Sequence, residues 1–386
     1  MSSLKLHIVS FDIPFPADYG GVIDVYFKLK ALRNAGVKII LHCFEYGRKH
    51  RDELNEIAEE VYYYKRSNSR KLLFNTYPYI VLSRQSDLLR ERLLNDNYPI
   101  LMEGLHSTLL LNDPAFAERK IFVRTHNIEH DYYQNLARVE KNIFKRYYFY
   151  NEAGKLQKYE CNLKKATGVF SISKPDTEHF LNVLQNVTYL PAFHPFEQPT
   201  QVDSPDKYFL YHGNLAVGEN NEAAIYLIEK VFNDLPYQLV IAGNRPSGAL
   251  RKIAKNYPNV GLVDNVTPEQ IHAMIAGAKG NILPTFQATG LKLKLLAALF
   301  LGKHCIVNSP MVINTGLEDL CMIADSAEEM KEFVKDVASK KSFSKEEFQK
   351  REKYLMENFS NRAGAEKIIE RIFGKGGFVS HGNPLK

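Results

Sequence analysis

A strand, a loop full of helix breakers, a helix and a second strand follow one another twice in this sequence, and this order constrains the fold most. In the first copy, residues 4–11 are an apolar, β-rich run, residues 14–21 are the loop, and residues 37–43 are the second strand. Apolar residues recur at helical spacing between them. The second copy has strands at 208–212 and 238–242 and a helix at 222–232. This alternation predicts an α/β fold with a parallel sheet in each half, whose ligands bind at the carboxyl ends of the strands.

The chain length predicts two domains joined by a proline-rich linker. A chain of 386 residues exceeds one ordinary core. Four prolines fall within residues 191–205, where few regular elements can form. We therefore predict an N-terminal domain over 1–192, a linker over 193–205 and a C-terminal domain over 206–344. One or two helices over 345–373 and a mobile tail over 374–386 complete the prediction.

Composition excludes several classes of protein. The net charge of +6 is small and dispersed over 50 basic and 44 acidic residues, so we expect no nucleic-acid partner. The four cysteines lie far apart and suggest neither a zinc site nor a disulfide framework. The N-terminus lacks the pattern of a signal peptide, and no run of 18 apolar residues occurs, which predicts a cytoplasmic protein.

The densest basic and aromatic run covers residues 141–165. Two interpretations stay open, because amphipathic helices of both kinds look alike in sequence. The run is either a solvated helix face or a surface that contacts the acceptor or the inner face of a membrane.

Residues 281–303 read as a strand, a glycine turn and a helix whose first turn carries two lysines. Gly290 lets backbone N–H groups approach an anion, the positive end of the following helix points at it, and Lys292 and Lys294 add charge. The pattern predicts a phosphate site. The alternative is a buried helix whose two lysines extend from its start into solvent.

Other loops follow predicted strands. Gly20 and Gly21 open the first helix, where they allow a substrate close to the backbone or simply form a tight turn. His126 follows a strand directly and is the better candidate for substrate contact, whereas His130 is expected to be structural. A metal here would need a third converging ligand that the sequence does not mark, so we predict no metal site. The C-terminal half adds three loops after its strands, which carry Gly213, Asn214, Gly243, Asn244, Arg245, Asp264, Asn265 and Val266.

The motifs of the C-terminal half resemble those of the retaining GT-B glycosyltransferases, specifically glycosyltransferase family four. The matching stretches are Gly213, Ala242-Gly243-Asn244-Arg245-Pro246, Asn259-Val260 and Ala288-Thr289-Gly290-Leu291-Lys292-Leu293-Lys294. The resemblance implies two Rossmann-like parallel-sheet domains facing across a cleft, with the helices over 345–373 crossing back to the N-terminal domain. It also implies metal-independent transfer of a hexose, with retention, to a glycan or lipid-linked acceptor in polysaccharide or glycolipid synthesis.

The same resemblance assigns roles to residues. A nucleotide-diphosphate sugar is the implied donor substrate, and no other cofactor is expected. The N–H groups of Gly290 and Leu291, with Lys292 and Lys294, would bind the diphosphate and stabilise its growing charge. His126 would touch the transferred sugar. The base would be bordered by Asp264, Asn265 and Val266, and the phosphate or acceptor would be approached by Gly20 and Gly21.

Two positions depart from the family pattern. Relatives carry two glutamates separated by seven residues, and the matching positions here are Thr289 and Ala297. The second glutamate binds the ribose hydroxyls, and losing such hydrogen bonds costs on the order of 1.5–3 kcal/mol each. The alternative function is therefore a GT-B-fold binding or regulatory protein with weakened catalysis. A third is another enzyme on the same fold, such as a nucleotide-sugar epimerase.

Overall fold

A computed structural model describes residues 4–200, 208–286, 292–339 and 343–374. The chain forms two compact units. Unit 1 combines Met1–Pro195 with Asn361–Lys386, and unit 2 is Phe196–Ser360. The chain thus leaves unit 1 within the predicted linker and returns to it just before its last helix. Most of the predicted linker's second half and nearly all of the predicted tail lie outside the described residues.

Unit 1 contains one sheet of seven parallel strands, whose spatial order is β3-β2-β1-β4-β5-β6-β7. The strands are β1 (Lys5–Ser10), β2 (Lys38–Glu45), β3 (Glu60–Lys65), β4 (Ile100–Glu103), β5 (Ile121–Arg124), β6 (Gly168–Ser171) and β7 (Val187–Tyr189). The register pairs Lys5 with Lys38 and His7 with Ile100. β1, β4, β5 and β6 are almost entirely buried, as expected for a sheet covered on both faces.

Helices cover both faces of this sheet. They are α1 (Gly20–Asn34), α2 (Tyr79–Leu82), α3 (Asp87–Leu94), α4 (Glu129–Val139), α5 (Ile143–Tyr159) and α6 (Lys174–Leu181). Unit 1 has two hydrophobic cores. Apolar residues of α1, such as Val25 and Leu29, belong to the first. Apolar residues of α3 and α5, such as Leu93 and Leu156, belong to the second. A 3₁₀ segment, Glu160–Lys165, continues α5.

Unit 2 contains a second parallel sheet, of six strands in the order β10-β9-β8-β11-β12-β13. The strands are β8 (Phe209–His212), β9 (Leu239–Ala242), β10 (Val260–Val263), β11 (Gly280–Leu283), β12 (His304–Val307) and β13 (Met322–Ile323). Its helices are α7 (Gly218–Tyr226), α8 (Gly248–Ala254), α9 (Pro268–Gly277), α10 (Leu293–Leu301), α11 (Ser309–Val312), α12 (Ala327–Ser339) and α13 (Lys345–Asn358). The prediction of two Rossmann-like parallel sheets is confirmed.

Local signals explain several element boundaries. The Thr267 hydroxyl accepts a hydrogen bond from the Gln270 N–H and forms a capping box with it, and Pro268 occupies the first helical position of α9. The helix expected at 222–232 begins earlier, at Gly218. It ends in a π-helical turn, Leu227–Val231. Capping chemistry is therefore readable here, whereas the π-helical turn, which packs against α12, has no comparable local signal.

The helices expected over 345–373 divide between the units. Arg351 of α13 donates to the carbonyls of Gly302 (2.9 Å) and Lys303 (2.5 Å) in unit 2. The last helix, α14 (Asn361–Phe373), belongs to unit 1 and packs against α1. A Cβ atom on Gly364 would lie 2.8 Å from the Phe193 ring. The return to unit 1 is therefore made by α14 alone.

Candidate functional site

In both sheets the strand order reverses direction at one place, which is where ligands bind in open α/β sheets. The reversal lies between β1 and β4 in unit 1 and between β8 and β11 in unit 2. Loops that leave the carboxyl ends of these strands are consequently the first candidates for a binding site.

In unit 2, His212 ends β8 at this reversal. Its side chain is buried, and among the described residues its Nε2 atom has no hydrogen-bond partner. Burial, followed by the nearby charge of Lys294, lowers the pKa of His212 to about 3. The imidazole is therefore neutral at physiological pH, and Nε2 is a buried polar atom suited to a ligand.

Two glycines bring the next loops together. Gly213 follows β8 and Gly243 follows β9. A Cβ atom on Gly243 would lie 1.9 Å from the carbonyl oxygen of Gly213, which no side chain permits. The close approach of the two loops therefore requires glycine at position 243.

A hydrogen-bonded chain links the β8 loop to the start of α10. The Asn220 side-chain amide donates to the carbonyl of Asn214 at 2.9 Å. The Lys294 ammonium donates to Asn220 Oδ1 at 3.0 Å and lies 3.5 Å from the Tyr211 hydroxyl. Lys294 is therefore held beneath the β8 loop, rather than extending into solvent as the alternative sequence interpretation required.

Lys292 and Lys294, the lysine pair, carry charge at a place that disfavours it. They stand at the N-cap and in the first turn of α10, the positive end of the helix dipole. Burial, and then the neighbouring Lys292, lower the pKa of Lys294 to about 8. Burial also lowers the pKa of Lys292, partly opposed by Glu219, whose carboxylate lies 3.9 Å from the Lys292 ammonium. An anion bound here would relieve this repulsion.

The loops after β9 and β10 are joined by polar contacts. Arg245 N–H donates to Asp264 Oδ1 at 3.0 Å, and the Asn244 amide donates to the Val266 carbonyl at 3.3 Å. Arg245 and Asn265 both adopt positive φ angles, 59° and 55°. These sharp turns place the predicted loop residues side by side.

The structure thus brings together most of the unit 2 residues that were predicted to bind the donor substrate. Thr289, Gly290 and Leu291 lie outside the described residues. Ala297 is buried within α10, in the core of unit 2. Sequence reasoning missed His212, Glu219 and Asn220. The available signal for Glu219 was its position: it is a carboxylate in the first turn of a helix that follows a strand and a glycine loop.

In unit 1, five charged or titratable side chains form a buried charge cluster at the β1–β4 reversal. Its members are Asp24, Lys28, Glu103, Arg124 and His126. Lys28 Nζ lies 2.8 Å from Asp24 Oδ2 and 2.9 Å from Glu103 Oε2, and His126 Nε2 lies 3.1 Å from Glu103 Oε2. The side chains of Lys28, Glu103 and Arg124 have no exposed surface.

Asp24 is the centre of this cluster. Burial alone would raise the pKa of its carboxyl, but the Arg124 guanidinium and the Lys28 ammonium hold that pKa well below its ordinary value. Asp24 Oδ1 also accepts a hydrogen bond from the Phe193 N–H at 2.8 Å. Arg124 donates to the carbonyls of Leu190 (2.5 Å) and Pro191 (3.2 Å), so the cluster anchors the start of the predicted linker.

The two predicted glycines of unit 1 lie at the start of α1. A Cβ atom on Gly21 would stand 2.9 Å from the Phe11 ring, whereas one on Gly20 would meet nothing within 4 Å. The Phe11 ring contacts His126 edge-on, with 5.3 Å between ring centroids. Gly21 is therefore connected to His126 through one aromatic ring.

Sequence reasoning also missed Asp24, Lys28 and Glu103. Asp24 and Lys28 are one helical turn apart on a face otherwise made of Val22, Val25 and Leu29, and Glu103 ends an apolar strand. The available signal for these three residues was a charged side chain within an otherwise apolar, buried face. Beyond the cluster, Glu129 is fully buried, and burial, followed by the charge of Glu160, raises the pKa of its carboxyl to about 8.

The run at residues 141–165 is the helix α5 with the 3₁₀ segment that follows. Residues 141–147 are all exposed. Ile143 is 68%, Phe144 86% and Tyr147 74% exposed. We call residues 141–147 the exposed aromatic segment. Within the described residues, no helix is long and apolar enough to span a bilayer.

Two units, each with a parallel sheet that reverses at one point and carries its polar loops there, define the GT-B class of fold. Solved structures agree. A glycosyltransferase from Rickettsia africae ESF-5 aligns over 96% of this chain and 98% of its own, with a TM-score of 0.61 and 12% identity. An alpha-glucosyltransferase in complex with UDP-glucose and DNA containing an abasic site aligns over 97% and 100%, with a TM-score of 0.59 and 12% identity. At these identities the likeness establishes the fold.

The sequence of unit 2 matches a known family model. The match covers residues 206–339 and the model is that of the glycosyl transferases group 1. The family-level resemblance predicted from the sequence is confirmed. A Klebsiella pneumoniae protein, described as an uncharacterized 44.6 kDa protein in cps region, is 29% identical over 315 residues, which cover 76% of this chain and 80% of that protein.

Proposed function

We propose that this protein transfers a hexose from a nucleotide-diphosphate sugar to a glycan or lipid-linked acceptor, with retention of configuration. The lysine pair carries this proposal. As the bond between the sugar and the diphosphate breaks, negative charge grows on the diphosphate. The acceptor hydroxyl oxygen forms the new bond to the sugar, and its proton passes to the leaving diphosphate. Fixed cations in a water-poor site stabilise such charge by several kcal/mol without a metal ion.

The electrostatics of unit 2 favour a diphosphate over a neutral ligand. Two partly buried ammonium groups stand at the positive end of α10, where burial lowers the pKa of both lysines. A diphosphate would bring negative charge to this end of the helix and favour the charged form of both lysines. The described neighbours Gly213, Asn214 and His212 then offer backbone and side-chain groups to the rest of the donor.

The remaining predicted roles stay part of the proposal. His126 would contact the transferred sugar, and Gly20 and Gly21 would approach the phosphate or acceptor. Asp264, Asn265 and Val266 would border the base. The description of the Klebsiella pneumoniae relative as a protein in cps region supports a role in polysaccharide synthesis.

A nucleotide-binding experiment distinguishes a glycosyltransferase from a protein that binds no nucleotide-sugar donor. Wild-type protein should gain thermal stability with one of UDP, GDP, ADP or TDP at millimolar concentration. The Lys294→Met variant should lose that gain, while Lys255→Met, which removes an exposed lysine of the same unit, should keep it. An absence of any shift with every nucleotide would overturn the proposal.

Product analysis then separates transfer from its alternatives. The protein is incubated with a panel of nucleotide sugars, and released nucleotide, free sugar and epimerised donor are measured. Release of nucleotide and sugar that depends on Lys294 supports transfer to water in place of the acceptor. An epimerised donor would assign the protein to the epimerases instead.

The second candidate is a binding or regulatory protein, favoured by Ala297. Because this residue is an alanine, its position in α10 supplies no carboxylate where the family pattern has the ribose-binding glutamate. Under this candidate, Ala297→Glu should raise nucleoside diphosphate affinity by about tenfold or more relative to Ala297→Gln, and leave pyrophosphate affinity unchanged. Equal affinities in the two variants would mean that another group already holds the ribose.

For the acceptor side, we propose that the exposed aromatic segment rests on an anionic membrane surface. Lys141, Lys145 and Arg146 lie among Phe144 and Tyr147, and all five are exposed. Cations attract anionic headgroups, and exposed aromatic rings enter the interface. The segment therefore has the charge and apolar surface that a peripheral contact at the inner face of the membrane requires.

Vesicle sedimentation tests this contact. Wild-type protein should sediment with vesicles containing phosphatidylglycerol and remain in solution with pure phosphatidylcholine. Phe144→Ser with Tyr147→Ser should abolish sedimentation, whereas Leu88→Ser, at a 48% exposed apolar residue of α3, should not. Equal sedimentation of all three proteins would place the segment in solvent.

A further inference from the structure

Three side chains from three separate elements of unit 1 meet at a place that the proposed transfer does not use. They are His130 near the start of α4, Glu160 in the 3₁₀ segment after α5, and His179 near the end of α6. Glu160 Oε2 lies 3.2 Å from His130 Nδ1 and 3.2 Å from His179 Nε2. One ligand atom from each residue lies within 4.8 Å of the other two.

We propose that His130, Glu160 and His179 form a zinc site. In a tetrahedral zinc site with bonds of about 2.0–2.1 Å, neighbouring ligand atoms are separated by about 3.3 Å. The two separations around Glu160 have this value already. Two imidazoles and one carboxylate form a ligand set that binds Zn²⁺ in preference to Mg²⁺ or Ca²⁺.

The surroundings of the three ligands support a site with one open position. The side chains of His130 and Glu160 are 7% and 8% exposed, whereas that of His179 is 31% exposed. An ion can therefore enter on the His179 side and keep water as its fourth ligand. Asp131 Oδ1 lies 3.5 Å from His130 Nε2, the ring nitrogen opposite to the one that faces Glu160. A carboxylate there orients a zinc-binding imidazole.

A second group, with two carboxylates and one histidine, is less suited to a metal ion. Asp24, Glu103 and His126 also converge, but the Lys28 ammonium already lies between the two carboxylates, at 2.8 and 2.9 Å. A divalent cation would be repelled there by Lys28 and Arg124. Within the described part of the chain, the ion-pair partners of Glu160 are His130 and His179. Both are imidazoles, which bind zinc in their neutral form.

The zinc ion would connect α4, the 3₁₀ segment after α5, and α6. α4 and α5 pack on each other as a hairpin that carries the exposed aromatic segment at its tip. Binding of one ion would fix the base of this hairpin to α6. This inference concerns a structural site, and it holds whether or not the chain transfers a sugar.

Metal binding to tag-free, chelator-treated protein tests the proposal. Titration with ZnCl₂ should show one tight site per chain and a rise in melting temperature, and Co²⁺ should give the visible absorption of a tetrahedral complex. His179→Gln, at the most exposed ligand, should lose the tight site and the absorption. Asp131→Asn should weaken Zn²⁺ binding by about 10- to 100-fold.

His50→Gln is the matched control, because His50 also pairs with a carboxylate, Glu45 at 2.9 Å, on the surface of unit 1. It should bind Zn²⁺ like the wild type. Melting temperatures measured without metal show whether each variant is folded. Wild-type binding no tighter than that of folded His179→Gln, or an equal loss in His50→Gln, would overturn the zinc site and leave three hydrogen-bonded side chains.

Discussion

The buried charge cluster of unit 1 and the lysine pair of unit 2 both lie at the strand-order reversal of their sheets, but they differ in how their charges are compensated. In the cluster, Lys28 and Arg124 are matched by Asp24 and Glu103 at hydrogen-bond distances. In the lysine pair, two ammonium groups stand at the positive end of the same helix, and burial lowers the pKa of each lysine.

The difference separates a structural use of buried charge from a ligand-binding one. A cluster whose charges are matched internally has little to gain from an added ion, and breaking it exposes unpaired charge. Two lysines whose charged form is disfavoured by burial stabilise the fold little and gain from an arriving anion. Removing one charge from each region should therefore affect different properties.

The largest expected effect is on folding, in the buried charge cluster. Asp24→Asn leaves Arg124 and Lys28 without their shared carboxylate, and should lower the free energy of unfolding by about 3–5 kcal/mol. Urea denaturation measures this. The control, Asp18→Asn, removes a half-exposed partner of Arg48 and should cost less than about 1 kcal/mol. Similar losses in both variants would remove the distinction between the two regions.

The next effect is on binding, in the lysine pair. Lys294→Met should reduce nucleoside diphosphate affinity by about 10- to 150-fold, the range of a charge-assisted hydrogen bond of about 1.5–3 kcal/mol. Its free energy of unfolding should change by less than about 1 kcal/mol, because burial already disfavours the charged amine. Isothermal titration and urea denaturation of one sample measure both. A large loss of stability would make this lysine structural.

The dependence of binding on pH gives a third effect. Burial lowers the pKa of Lys294 to about 8, whereas a bound diphosphate favours its charged form. Affinity should therefore be complete below about pH 8 and fall by up to about tenfold per pH unit above it. The free energy of unfolding should change with pH in the opposite direction. Between pH 8 and 10.5 the lysine is protonated in the unfolded chain and deprotonated in the folded one. Its contribution to the free energy of unfolding therefore rises with pH in this range. Lys294→Met should show a weaker pH dependence across this range, which comes from Lys292, because burial also lowers the pKa of that lysine.

The smallest effect comes from the carboxylate near the lysine pair. Glu219→Gln removes the negative charge 3.9 Å from Lys292 and should raise pyrophosphate affinity by about two- to fivefold, or about 0.5–1 kcal/mol. Glu229→Gln, at an exposed glutamate of the following turn, should leave it unchanged. A fall in affinity would show that Glu219 positions the lysines rather than competing for them.

The sequence predicted the sheets well, because parallel strands are continuous apolar runs that glycine and proline loops interrupt. Gly213 and Gly243 were recognised from the same pattern, and the structure adds why Gly243 is required: the loops approach too closely for a Cβ atom. Thr267 and Pro268 were readable because helix capping is local chemistry. Such features depend on a few neighbouring residues.

Long-range partnerships were not readable. Asp24 and Arg124 are 100 positions apart, and Glu103 joins them only because β1, β4 and β5 are neighbours in the sheet. The same limitation hid the ligands that converge on His130, because Glu160 and His179 lie on other elements. Strand order must be known before such groups can be assembled.

The placement of α14 has a consequence for the order in which this chain folds during synthesis. Unit 1 remains incomplete until residues 361–373 leave the ribosome, because Ile368, Ile369 and Ile372 belong to the same core as Leu29 of α1. All of unit 2 is made in the interval. The nascent first unit therefore presents an uncovered apolar helix face while the second folds, and a chain that ends at Ser360 should be a preferred substrate for chaperones and proteases.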